Sequence, residues 1–146
     1  MGQITSVGLS QALENNLLST CQRRLPYETC GVLYGTEYKS DGSGKVIVDG
    51  FIVIRNNSSS ATNSFSFHPE DWIGVYFQAQ KNQRNIVGFF HSHPQGTALP
   101  SIRDEQDSIP WRTYLIVSLT KGNKMIAAYQ RSSPHQWVSL PILREL

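Results

Sequence analysis

One short stretch constrains this chain more than any other: an apolar run, Ile86 to Phe90, that leads directly into His91-Ser92-His93-Pro94. A short apolar run of this kind predicts a strand buried on both faces. Side chains alternate along a strand, so His91 and His93 project from one face and Ser92 from the other. A turn containing Pro94, Gly96 and Pro100 then lets the chain fold back. Pro100-Ser101 predicts the opening of a short third helix through about Ser108, and Asp104 lies one helical turn after Ser101, so both point the same way. Zinc accepts imidazole nitrogen and carboxylate oxygen, and a catalytic zinc keeps three protein ligands and leaves one position to water. His91, His93 and Asp104 supply that number. A histidine pair standing alone reads more simply as hydrogen-bonded core; the serine and aspartate that follow favour the metal reading.

Metal-assisted hydrolysis asks for more than ligands. An open zinc lowers the pKa of its water to about 7 and polarises a carbonyl. A carboxylate must then take the water's proton and pass it to the leaving amine. Glu28, in Pro26-Tyr27-Glu28-Thr29-Cys30-Gly31, stands at the mouth of an apolar strand predicted over Thr29–Gly35, within reach of a neighbouring strand's metal. Its plainer reading is a surface acid before a strand. Ser101 has two compatible readings, a helix N-cap and a hydroxyl that steadies the oxyanion, where one donor is worth about 3 kcal/mol. Ser92, on the other face, reads as structural. His68 and His135 read as non-ligands, Cys30 as a small buried hydrophobe, and Arg103 and Glu105 as solvated.

The rest of the chain supplies elements for a sheet. Ser10 predicts a capped helix through about Arg24, with Leu13, Leu17 and Leu18 on one face, stopped by Pro26. Asp41-Gly42-Ser43-Gly44 predicts a turn into a second strand over Lys45–Arg55. Asn56–Ser64 is polar and predicts a mobile loop, either a plain connection or a cover over a bound tail. Pro69 opens a second helix, with Glu70 and Asp71 in its first turn and a core face of Trp72, Ile73, Tyr76, Phe77 and either Gln80 or Ala79. Further strands are predicted over Thr113–Leu119, Met125–Arg131 and Trp137–Leu140. Irregular alternation with hairpin-length turns favours an α+β or α/β sandwich with a mixed sheet. No linker or repeat interrupts residues 1–146, so a single domain is expected.

Several function classes fall away. The net charge is +2 with scattered Lys and Arg, and no basic stripe with interleaved aromatics appears, so nucleic acid is not an expected partner. No apolar run approaches the roughly 18 residues needed to span a bilayer, so no membrane is expected. Met1-Gly2-Gln3-Ile4-Thr5-Ser6 matches a myristoylation pattern and Asn57-Ser58-Ser59 a glycosylation sequon, but both are short patterns that recur by chance. Cys21 and Cys30 form neither a C-x-x-C knuckle nor a disulfide framework. With no secretory segment at the N-terminus, they suggest a reducing cytoplasm.

Taken together, Glu28, His91, His93, Ser101 and Asp104 resemble the signature of the JAMM metalloproteases of the Jab/MPN domain: a Glu, a long gap, H-x-H, ten residues and Asp, with Ser three before that Asp. The flanks are similar too, in Pro26 to Gly35, Phe67-His68-Pro69-Glu70 and Gly88-Phe89-Phe90, and the resemblance covers about residues 4 to 131. It implies a cytidine-deaminase-like α/β sandwich, a central mixed sheet flanked by helices. It also implies one Zn2+ per chain on His91, His93 and Asp104, with Glu28 moving protons and Ser101 steadying the oxyanion. The implied activity is hydrolysis of an amide or isopeptide bond after the C-terminal Gly-Gly of a ubiquitin-like protein. The tail would be bound as an added strand, which suits glycine because backbones approach closely. The chain looks like the small stand-alone prokaryotic members, for which the resemblance implies ubiquitin-like sulfur carriers as substrates. The alternative is a non-catalytic MPN-type module that binds ubiquitin-like tails. A zinc deaminase would need H-x-E and P-C-x-x-C, and neither occurs. The sequence leaves the oligomeric state open.

Overall fold

The computed structural model describes residues 3–40, 42–101, 113–122, 124–133 and 136–144. The expected third helix, and Asp104 with it, lies outside them. Among the described residues eight strands form one mixed sheet: β1 (Ile4–Leu9), β2 (Cys30–Ser40), β3 (Ser43–Ile54), β4 (Ile86–His93), β5 (Thr113–Ser118), β6 (Met125–Ser133), β7 (Gln136–Leu140) and β8 (Ile142–Leu143), in the order β7-β6-β5-β4-β2-β3-β1-β8. The β2–β3 hairpin is antiparallel, and β2 also pairs antiparallel with β4. β4 and β5 are parallel, as are β1 and β3. Only Pro141 separates β7, which pairs with β6, from β8, which pairs with β1. The last segment of chain therefore bridges both ends of the strand order. The Val7 amide donates to the Pro141 carbonyl at the join (3.0 Å).

Alternation along the central strands sorts the core into two faces. Leu33, Phe90 and Leu115 pack with Leu17 and Cys21 of helix α1 (Gln11–Gln22). Val32, Phe89 and Tyr114 pack on the opposite face, with Trp72 and Val75 of helix α2 (Pro69–Lys81). The mixed α+β sheet anticipated from the sequence is present. Ser10 caps α1 as its position predicts, accepting from the Leu13 amide at 3.1 Å. A side chain at Gly31 would overlap the Ile52 carbonyl oxygen and the Phe90 ring, so glycine allows Phe90 to lie flat against β2.

Three expectations need correction. β2 does not end at Gly35 but runs on to Ser40, because Gly35 is absorbed by a register shift in the hairpin rather than by a turn. β4 does not stop at Phe90; it extends through His93, so both histidines lie on the strand itself. The core face of α2 keeps the expected Trp72 and Ala79 but adds Val75, whereas Ile73, Tyr76 and Phe77 are 53%, 46% and 65% exposed. Two apolar stripes compete on that helix. The choice is made by Trp72, whose ring packs 5.7 Å from Phe67 and 5.8 Å from Phe89.

Candidate active site

The site is built where β2 begins and β4 ends. Cys30 pairs with His91, and the Ser92 amide donates to the Thr29 carbonyl at 2.9 Å. Continuing this register sets Glu28 across from His93. Ser92 turns its side chain to the α1 face, where its hydroxyl accepts from the Thr29 amide at 2.8 Å. The residue between the two histidines thus pins the residue next to Glu28, and the structural reading of Ser92 holds. His91, Ser92, His93 and Glu28 are all buried.

The two imidazoles converge. His91 Nε2 and His93 Nε2 are 3.2 Å apart, and the Phe65 ring stacks on His91 at 4.7 Å between centroids. His93 Nδ1 lies 2.7 Å from the Thr97 carbonyl oxygen, which fixes Nδ1 as the protonated nitrogen and leaves the Nε2 lone pair toward His91. Two nitrogens each about 2.05 Å from a tetrahedral ion would stand roughly 3.3 Å apart, so this pair fits zinc. Among the described residues no group of three metal-ligating side chains is found, and the expected third ligand, Asp104, lies outside them.

A cavity of about 910 Å³ opens over this point. Glu28, His93 and Ser101 all line it, with Thr62, Asn63 and Leu99 among the other walls. The turn after β4 is held by side chains on three consecutive carbonyls. Ser118 Oγ and Thr120 Oγ1 donate to Gly96 O (2.8 and 2.6 Å), His93 Nδ1 meets Thr97 O, and Tyr129 Oη donates to Ala98 O (2.7 Å). Gly96 itself has φ +103°, a conformation that favours glycine.

Sequence reasoning missed the residues that hold Glu28 from behind. Asn56 Nδ2 donates to Glu28 O (3.1 Å) and to Ser64 O (2.9 Å), while its Oδ1 accepts from the Ser58 and Ser66 amides at 3.0 and 3.1 Å. The Glu28 amide donates to Ala61 O at 2.7 Å. The polar Asn56–Ser64 segment, anticipated as mobile, is therefore folded around one asparagine and tied to Glu28. Its signal was the Asn56-Asn57 pair just after a strand, a residue type that mimics a turn with its own side chain. Cys21 and Cys30 are buried free thiols, and burial pushes both up to about 12. They stay protonated at neutral pH, as expected of small core hydrophobes.

Residues 10–132 match the family described as prokaryotic homologs of the JAB domain. The chain belongs to that family. It is 31% identical over 94 residues to a desampylase of Haloferax volcanii, covering 64% of this chain and 63% of that protein. It is 30% identical over 95 residues to a desampylase of Pyrococcus furiosus, covering 65% and 61%. The matches thus span about six tenths of these curated relatives. A tail tip assembly protein K of Escherichia phage N15 is 30% identical over 102 residues, covering 67% of this chain and 35% of that protein. Among solved structures, a protein from Desulfitobacterium hafniense superposes with TM-score 0.79 at 25% identity, over 96% of this chain and 94% of its own. A Salinibacter ruber protein follows with TM-score 0.69 at 25% identity, over 97% and 92%. The recognition drawn from the Glu, H-x-H, Ser and Asp pattern is met at the level of the prokaryotic JAB/MPN domain. Among the described residues no helix is long and apolar enough to cross a membrane.

Proposed function

We propose that this chain is a JAMM-type zinc metallopeptidase, one domain over residues 1–146 with the cytidine-deaminase-like sandwich, working in the cytoplasm. Its substrate bond is the amide or isopeptide after the C-terminal Gly-Gly of a ubiquitin-like or sulfur-carrier protein. The observation that carries this reading is the convergence of His91 Nε2 and His93 Nε2, 3.2 Å apart, at a cavity whose wall also holds a buried Glu28. The desampylase names of two relatives support the hydrolase class and a modifier as substrate.

His91, His93 and Asp104 would hold one zinc. Zinc, when bound, acidifies a water and polarises a carbonyl. Glu28 takes the proton from that water and returns it to the leaving amine, a double duty suited to a carboxylate with a fixed backbone. Ser101, at the cavity rim, donates its hydroxyl to the developing oxyanion. Thr97 holds His93 in the tautomer that presents Nε2. The cavity between the Thr62-Asn63 loop and the Leu99-Pro100 turn receives the tail.

The test is intact-mass analysis of a ubiquitin-like sulfur carrier extended past Gly-Gly, incubated with zinc-loaded protein and with Glu28→Gln. Mass loss at the Gly-Gly boundary with wild type alone is the expected result, with zinc retained at one per chain in the variant. Full activity in Glu28→Gln, or a wild-type protein that binds no zinc, would sink the reading in favour of a non-catalytic tail-binding module.

A further inference from the structure

A second groove, about 480 Å³, shares the Leu25 and Glu28 wall of the candidate catalytic cavity. Its remaining lining includes Arg23, Arg24 and Tyr27 from the segment that leaves α1, and Arg55 at the end of β3. Three arginines line this groove, and among the described residues in its lining the one carboxylate is the buried Glu28. Arg55 is already engaged with Asp71, through Nε at 2.9 Å and Nη2 at 2.8 Å. Among the described residues Arg23 meets hydroxyls, of Ser19 at 2.7 Å and Thr20 at 3.5 Å. Among the described residues Lys39, Arg55, Arg84 and Arg144 each sit beside a carboxylate. Arg23 and Arg24, adjacent and both exposed, form no ion pair among those residues.

A helix C-terminus tolerates cations because the dipole favours them there. That accounts for the charge and not for its apolar flank, since Leu25 and Tyr27 beside the arginines are 43% and 55% exposed. Nor is this a loose loop. Arg24, Leu25 and Tyr27 amides donate to the Cys21, Gln22 and Arg24 carbonyls (3.1, 3.3 and 3.0 Å), and the Glu28 amide locks the segment to Ala61. Arginine and tyrosine on a preordered backbone are the residue types that carry binding energy, because little ordering remains to be done on association.

We propose that this groove docks an acidic stretch of the protein substrate, with carboxylates on Arg23 and Arg24 and an apolar side chain against Leu25 and Tyr27. The two cavities meet at Leu25 and Glu28, so the acidic stretch lies close in sequence to the scissile bond. The inference deepens the peptidase reading and rests on it for the position of that bond. Guanidinium–carboxylate pairing is charge-assisted and often bidentate, so the docking carries a marked salt dependence.

The first measurement is fluorescence anisotropy with the zinc-loaded protein and a labelled pentapeptide, a central leucine flanked by glutamates, against the same peptide with glutamines. Neither holds a Gly-Gly bond, so binding is read without turnover. The glutamate peptide is expected to bind about tenfold more tightly, with the preference shrinking between roughly 50 and 300 mM salt. Arg23→Glu/Arg24→Glu should abolish that preference. Lys39→Glu/Lys81→Glu, with the same change in net charge at the far ends of β2 and α2, should keep it. Equal binding of the two peptides, equal loss in both double variants, or tighter binding of an oligonucleotide than of the glutamate peptide would overturn the proposal. Extended carriers with acidic or neutral flanks then separate the two readings. Cleavage without flank preference and without peptide binding removes the groove and leaves the peptidase. Peptide binding as expected without any cleavage removes the peptidase and leaves the groove.

Discussion

Ser92 lies between the two histidines in sequence and behind them in space, and it shows how one position serves the site without touching substrate. Its hydroxyl satisfies the Thr29 amide, a buried donor that the end of the β2–β4 ladder leaves without a carbonyl. Ser92→Ala strands that donor, so a loss of roughly 1–3 kcal/mol is expected, seen as a lower urea midpoint at unchanged slope. Turnover should fall further than stability alone accounts for, because Thr29 sets the position of Glu28. A variant as stable and as active as wild type would refute this account. At this scale much was legible: alternation put His91 and His93 on one face, and Glu28, singled out from its position before β2, lines the same cavity as His93. Asn56, Phe65 and Thr97 were not, because each acts through contacts between segments that no local spacing encodes.

At the scale of elements, the turn from Pro94 to Ser101 is held by side chains of its neighbours. Donors from β4, from β5 and the residues just after it, and from β6 take Gly96, Thr97 and Ala98 carbonyls in succession. Tyr129→Phe removes one donor while keeping the ring, which packs with Ala98 and Ile116. About 1–3 kcal/mol of destabilisation is expected from the orphaned buried carbonyl. Hydrogen exchange should rise across 94–101 well before it rises in β4; uniform exchange along both would contradict the clamp. The strand ends and the buried stripe of α2 were the elements least legible in sequence. Helical period alone leaves Ile73, Tyr76 and Phe77 as good a core face as Trp72, Val75 and Ala79, and only the aromatic partners Phe67 and Phe89 decide. A strand boundary is likewise set by its partner: β4 continues through His93 because β5 runs beside it to Ser118.

For the molecule as a whole, the pairing that joins the two ends of the strand order was invisible to sequence reading, since it depends on a two-residue strand after Pro141 meeting β1 across the entire chain. Mixed topology was legible from turn lengths; closure was not. Cys21 reports on that closed core. It is wholly buried among residues from both ends of the sheet, and burial raises its thiol to about 12, against its ordinary value near 9. The sign follows from linkage: the folded state holds a proton that the unfolded state releases, so the contribution is complete below about pH 9 and is lost as pH rises toward 12. Urea midpoints measured at pH 7.5, 9 and 10.5 should therefore fall for wild type more steeply than for Cys21→Ala, whose lower absolute stability cancels when slopes are compared. At pH 8 the same thiol should resist alkylation in the folded protein and react at the rate of global opening. Alkylation at the rate of a free thiol would show that the α1 face opens locally, independently of the sheet that carries His91 and His93.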